Sequence, residues 1–296
     1  MTSVGTALVL GAALSVQFGS AVAALLFPRA GAAGVVALRL LIAAIVLLAV
    51  CRPRLRGYRR DDWLSVLGFG VAMAGMNGLF YQAIDRIPLG PAVTLEVLGP
   101  LTLAVVTARR RSGWWWAGLA LAGVVLLGYQ GFDRLTPAGA AFAFGAGAMW
   151  AGYIVFSART GQRFPRADGL ALALAVAALI TLPFGIADAG DALLDPVTIG
   201  LGAVVALMSS MLPYTMELLA LRRIPTSTFA VLMSLGPAVA VLAGLVVLGQ
   251  RLSPLELLAV ALVIVASAGA VQTPRADLRS DSHHRAPHRG SAEPVR

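Results

Sequence analysis

The chain reads as long apolar runs broken by short polar connectors, with charge gathered in the connectors. A helix needs roughly 20 apolar residues to cross about 30 Å of hydrocarbon. Ten such stretches are predicted, at about 4 to 26, 32 to 51, 63 to 84, 89 to 108, 114 to 131, 137 to 158, 168 to 187, 196 to 219, 226 to 248 and 253 to 272. The expected fold class is all-α, a polytopic membrane protein with ten transmembrane helices.

Composition points the same way. Of 296 residues, 58% are hydrophobic and 12% charged, against about 25% charged in a soluble domain. The stretches are apolar or small on every side, so no polar face is left for water.

Sequence self-comparison adds internal order. Shifted by 137 residues, AIDRIPLGPAVTLEVLGP (83 to 100) aligns with ALRRIPTSTFAVLMSLGP (220 to 237), with eight of eighteen positions identical. The shared R-I-P and L-G-P at one spacing indicate duplication. The shift spans five predicted helices, an odd number, so equivalent segments cross the membrane in opposite directions. The expected organisation is a first five-helix repeat over 1–131, an inverted second repeat over 132–272, and a tail over 273–296. Such a pair can exchange inward-open and outward-open shapes around a central site, which makes alternating access the default expectation.

All 23 basic residues are arginine and the formal charge is +9. Arginine-rich faces can neutralise phosphates, but here the arginines sit in connectors between apolar runs, which argues against nucleic acid as a partner. They set orientation instead. The second, fourth, sixth and eighth connectors and the tail hold eighteen, and the remaining connectors hold Arg29, Arg86, Arg134 and Arg251. Arginine-rich loops stay in the cytoplasm, so both termini are expected there, with the chain in a bacterial inner membrane. Ala21-Val22-Ala23 resembles a leader cleavage site, but no basic residue precedes the apolar run and further spans follow it. The Trp114-Trp115-Trp116 run opens the fifth stretch and suits the headgroup level.

The tail is rich in Arg, Ser, Asp, His and Pro and lacks the apolar content to fold alone. It is expected to be a disordered cytoplasmic segment. His283, His284 and His288 all lie in it, and Cys51 is the one cysteine, so neither a metal nor another cofactor is expected within the membrane. GFGVAMAG (68 to 75) and GAGAMWAG (145 to 152) follow no predicted strand, and small residues there serve close helix packing. No P-loop and no nucleophile elbow is present, so ATP-driven pumping by this chain alone is not expected; an enzyme would group catalytic carboxylates, histidines or a metal site at one membrane face, and with the histidines confined to the tail the expectation is not an enzyme. The same small-residue faces can join two copies, which is compatible with a homodimer.

Three charges stand well inside the runs: Arg39, Glu96 and Glu217. Each costs about 2.5 to 3.5 kcal/mol at mid-helix and is a site candidate for that reason. Arg39 and Glu96 lie equally deep, each seven residues into its stretch. Two readings of the pair stay open: a structural ion bridge, or a site matched to the carboxylate and ammonium of an amino acid. Glu217 lies five residues before Arg222, close to the cytoplasmic surface, and three readings stay open: it faces headgroup water, pairs with that arginine, or serves transport. Glu96 aligns with Met233 and Glu217 with Phe80, so neither acid is duplicated. A carboxylate removed from water holds its proton more readily, so either acid is a candidate proton carrier. Asn77, Tyr81, Gln82, Thr94, Tyr214 and Thr215 surround these acids in sequence. Gln17, Trp150 and Tyr153 mark the first and sixth helices, and any of these groups could instead bond between helices. The matched breaks Gly99-Pro100 and Gly236-Pro237 mark the expected binding region, because interrupted helices at corresponding places of two repeats line transport sites.

The runs GVVALRL (34 to 40), AGMNGLFYQAIDRIPLGPAVTLEVLGPL (74 to 101), GAGAMWAGYI (145 to 154) and SMLPYTMELLALRRIPTSTFAVLMSLGPA (210 to 238) carry a family resemblance. Up to about residue 272 the chain resembles the EamA-type drug/metabolite transporter superfamily, and within it the threonine/homoserine exporters. The resemblance implies ten helices and proton-driven export of small neutral amino acids, with Arg39, Asn77, Glu96 and Glu217 inside the shared motifs. In VLGQRLSP (247 to 254) the chain departs from the family, carrying Gln250 where a glutamate is usual. Two other readings stay open: export of a different metabolite or drug by the same fold, and a membrane-embedded enzyme or lipid-handling protein.

Overall fold

Prolines and short polar caps decide where the helices begin. Thr136 accepts from the Gly139 amide at 3.1 Å, with Pro137 in the first turn. Asp195 accepts from the Thr198 amide at 3.0 Å, ahead of Pro196. Ser253 and Glu256 cap each other reciprocally across Pro254, at 3.3 and 2.7 Å. In each case a side-chain oxygen answers a first-turn N–H that has no partner within the helix, while proline occupies a position where its missing N–H costs nothing.

The computed structural model describes residues 2–108, 111–129, 136–165, 167–221, 223–224 and 232–272. The tail from 273 and the segment 225–231 lie outside the described residues. The elements are α1 (Thr2–Leu25), α2 (Phe27–Cys51), α3 (Arg60–Ile84), α4 (Leu89–Glu96), α5 (Leu98–Ala108), α6 (Arg111–Tyr129), α7 (Pro137–Arg163), α8 (Asp168–Ala189), α9 (Pro196–Ala206), α10 (Leu212–Leu221), α11 (Gly236–Leu248) and α12 (Pro254–Gln272). A wide π turn, Leu207–Met211, joins α9 to α10. The described residues contain no strand.

Five helical stretches are long and apolar enough to cross a bilayer: Val4–Leu25, Phe27–Cys51, Arg60–Ile84, Pro137–Arg163 and Asp168–Leu194. Shorter apolar helices cover Leu89–Leu103, Trp114–Leu126, Pro196–Met211, Gly236–Leu248 and Pro254–Gly269. The outward surface is apolar, with Ile45, Leu64, Leu121, Leu179, Phe184 and Val246 exposed. Water would not tolerate such a surface, and lipid suits it. Trp114 and Trp115 are also exposed.

Two long crossings frame the interior. α2 lies along α8 and α3 along α7, while α1 packs on α10 and the π turn, α6 on α12, and α4 between α7 and α11. In lipid these contacts are held by close packing and interhelical hydrogen bonds rather than by expulsion of water. α2 is bent near its start, where Gly31 adopts φ +62°. A side chain there would collide with the Asp188 carboxylate, which accepts from the Ala33 amide at 3.0 Å and so caps the resumed helix from α8.

Candidate functional site

A cavity of about 410 Å³ opens between α1, α2, α3, the α4–α5 break, α7, the π turn, residues 233–236 and α12. Much of its wall is apolar, with Val16, Met76, Phe80, Val93, Leu101 and Ile154 among the lining residues. The polar groups on it are few: Gln17, Ser20, Arg39, Asn77, Glu96, Ser209, Ser234 and Ser267, with the Trp150 and Tyr153 rings beside them.

Arg39 on α2 is 6% exposed. Its guanidinium donates from Nη1 to Tyr81 Oη at 3.0 Å, from Nη2 to the Ser209 carbonyl at 3.1 Å, and from Nε to Ser210 Oγ at 3.3 Å. The guanidinium also lies 5.5 Å from the centre of the Tyr81 ring, a cation–π distance. These partners offset the cost of burying the charge, and donors remain on the fork for a further acceptor.

Glu96 is the last residue of α4 and is 8% exposed. Of the two open readings of the pair, the ion bridge to Arg39 is not formed: no hydrogen bond or ion pair to a described residue engages the Glu96 carboxylate. The guanidinium is held instead by the Tyr81 and serine groups, and both charges face the same cavity. The helix stops here because Pro100 has no N–H for the Glu96 carbonyl four residues back. Gly147 of α7 approaches that carbonyl so closely that a Cβ on it would come within 2.5 Å. A Cβ on Gly99 would in turn strike the Gly147 backbone. The two glycines therefore let α7 touch the broken helix backbone to backbone.

On two further residues that line the cavity, a side-chain oxygen, Gln17 Oε1 and Ser267 Oγ, is buried without a hydrogen-bond partner. Unpartnered buried oxygens are costly, and here both belong to residues that face an open volume. Together with Arg39 and Glu96 they make a chamber suited to a small polar molecule bearing both charges, within the usual size range of ligand pockets.

The other sequence candidates divide. Asn77, Pro100 and Gly236 line the cavity, and Asn77 Nδ2 donates to the Met73 carbonyl at 2.9 Å, leaving its oxygen unused by that bond. Tyr81 is fully buried behind Arg39, and Pro237 is buried at the start of α11. Gln82 turns away, and its oxygen accepts from Arg86 Nη1 at 2.6 Å. The side chains of Tyr214, Thr215 and Glu217 lie outside the described residues. Sequence reasoning missed Ser209 and Ser210. Their signal was present in Pro213, which cannot complete the helix behind them. Among the described residues no cluster of three or more His, Cys, Asp or Glu comes together that could hold a metal ion.

The EamA-like transporter family model matches residues 137–272. The threonine/homoserine exporter RhtA of Escherichia coli (strain K12) is 42% identical over 90% of this chain and 91% of its own length. The exporter of the same name from Salmonella typhimurium (strain LT2) is 41% identical over 88% and 89%. The uncharacterized transporter YwfM of Bacillus subtilis (strain 168) is 29% identical over 84% and 87%. A solved crystal structure, 21% identical over 92% of this chain and 98% of its own, shares the fold with a TM-score of 0.54. A charged chamber inside an apolar helical shell and identity at this level over nearly the whole length agree: the chain belongs to the EamA-like transporter family, among the relatives of the threonine/homoserine exporter RhtA.

Proposed function

We infer that the protein exports small neutral amino acids of the threonine and homoserine kind across a bacterial inner membrane, with both termini in the cytoplasm. The observation that carries this is the pair of opposite charges on one cavity that do not close on each other. A zwitterion would put its carboxylate on Arg39 and its ammonium on Glu96, with Asn77, Gln17 and Ser267 left for a side-chain hydroxyl. The names of the relatives support the same substrate class.

Ten spans in two inverted five-helix halves, 1–131 and 132–272, give this chamber its motion. Lining residues 137 apart support that reading: Ala13 with Trp150, Val16 with Tyr153, Gln17 with Ile154, Glu96 with Met233 and Val97 with Ser234. The contacts repeat as well, since α3 lies on α7 and, one repeat later, the α9–α10 stretch lies on α1. Two interchangeable halves around one site provide alternating access. Glu96 is the acid among the described residues of the cavity wall and serves as the proton carrier, accepting a proton from outside when the substrate ammonium leaves.

The test is efflux of labelled threonine and homoserine from proteoliposomes, with and without an imposed proton gradient. Saturable efflux driven by the gradient, abolished in Arg39→Gln and weakened and freed of its dependence on the gradient in Glu96→Gln, is the expected result. Absence of saturable efflux of both amino acids sinks the substrate assignment. The apolar share of the wall favours a second reading, a zwitterion or drug with a larger apolar group, and competition by a substrate panel separates the two.

A further inference from the structure

Arg39 reaches across the repeat boundary to a place where the backbone has been left with spare acceptors. In an α-helix residue 213 would donate to the Ser209 carbonyl, and in a π turn to the Met208 carbonyl. Residue 213 is proline and donates to neither. Both acceptors are answered from the first half: Ser15 Oγ of α1 donates to Met208 O at 2.5 Å, and Arg39 Nη2 of α2 donates to Ser209 O at 3.1 Å. Ser210 Oγ takes a further Arg39 N–H at 3.3 Å. The Ser209 hydroxyl is not part of this tie, because it donates to Val205 O within its own helix.

Arg39 thus has two kinds of partner. Tyr81 sits on α3 of the same half and moves with it. Ser209 and Ser210 belong to the other half. Ser209 and Arg39 both line the cavity, so a carboxylate arriving there reaches the guanidinium beside one of the residues by which the second half holds it. A carboxylate is a stronger acceptor for a guanidinium than a carbonyl or a hydroxyl, and it binds the planar fork in bidentate fashion.

The geometry points to a competition at Arg39: the carboxylate of the transported substrate displaces the Ser209 carbonyl and the Ser210 hydroxyl, and so unties the two halves at the moment of binding. This rests on the reading of Arg39 as the carboxylate site. The empty carrier is held by the π turn, and the loaded carrier exchanges that inter-half bond for one to its cargo. Tyr81 is a positioning residue that keeps the guanidinium in the cavity while its other partners change.

The competition fixes a sign. If Ser210 merely oriented Arg39, removing its hydroxyl would weaken substrate binding; if it competes, removal strengthens it. Equilibrium binding of threonine to the purified full chain is therefore expected to tighten about threefold to tenfold in Ser210→Ala. Pro213→Ala restores an N–H for the spare carbonyls and moves affinity the same way, whereas Tyr81→Phe weakens binding. Unchanged or weaker binding in both Ser210→Ala and Pro213→Ala overturns the proposal. A ligand-free arm keeps the tie separate from the substrate assignment. Spin labels at Ala49→Cys on α2 and Leu219→Cys on α10, in a Cys51→Ser background, report the distance between the halves. Ser210→Ala is expected to shift or broaden that distance in the empty protein, as saturating threonine does in the parent. An identical distribution in parent and variant, without ligand, shows that no tie exists. If the parent binds neither threonine nor homoserine, the substrate reading falls, and the empty-state distances still decide the tie.

Discussion

Arg39 and Glu96 share one cavity without an ion pair: the guanidinium donates to Tyr81, the Ser209 carbonyl and Ser210, and the carboxylate makes no hydrogen bond or ion pair to a described residue. Two opposite charges placed at one depth in hydrocarbon would normally neutralise each other. Keeping them apart leaves both for a third party.

The first prediction follows from that separation. Glu96→Gln keeps the volume and removes the charge, leaving a substrate ammonium without its partner. Apparent affinity for efflux is expected to fall at least tenfold, about 1.4 kcal/mol, and the dependence of rate on external pH to flatten. Concentration-dependent efflux at several pH values reads both.

Arg39→Lys retains a positive charge but not the planar fork that serves Tyr81, Ser209 and Ser210 together. An ammonium cannot replace those contacts and also take a carboxylate bidentately. Transport is expected to drop by about tenfold or more although net charge is preserved, and initial efflux rates compare the two proteins directly.

A third prediction concerns the contact of α7 with the broken helix. Gly147→Ala puts a methyl group against the Glu96 carbonyl. Overpacking of this kind costs about 1–3 kcal/mol. Thermal unfolding in detergent should show the loss, and substrate affinity should fall with it because Glu96 is displaced.

Acid stability tests the connector before α9. The hydrogen bond from the Thr198 hydroxyl, and then that from the Thr198 amide, hold the Asp195 carboxyl below the ordinary carboxylate value. A group whose pKa is lower folded than unfolded stabilises the fold above the unfolded value, near 3.9. That contribution is lost as pH falls through the lower folded value. The parent should lose thermal stability below about pH 4 and Asp195→Asn should show a shallower decline over that window, measured by unfolding temperature from neutral to acid. Arg29, 3.4 Å away, adds little because both side chains are well exposed.

Much of the shell could be read from sequence because its causes are local. An apolar run of sufficient length acts locally, so the stretches from 137 and 253 predict helices that begin at Pro137 and Pro254. Arg39 and Glu96 stood out because a charge in hydrocarbon needs a reason. What sequence could not give was direction. Gln82 neighbours Tyr81 along the chain, yet one step of a helix turns it toward Arg86 and away from the chamber. Ser209 and Ser210 were overlooked because serines in such helices commonly bond to their own backbone, as Ser209 does. Their contact to Arg39 joins positions about 170 apart, a distance no local pattern bridges.

Pro213 has a consequence for how this chain can change over generations. The acceptors at 208 and 209 are main-chain carbonyls, so replacing either side chain leaves them in place. Authority over them sits at residue 213, a proline that is not itself a hydrogen-bond partner of Ser15 or Arg39. Drift at 208 and 209 is therefore tolerated by the joint, while one codon four to five positions further along governs whether it exists.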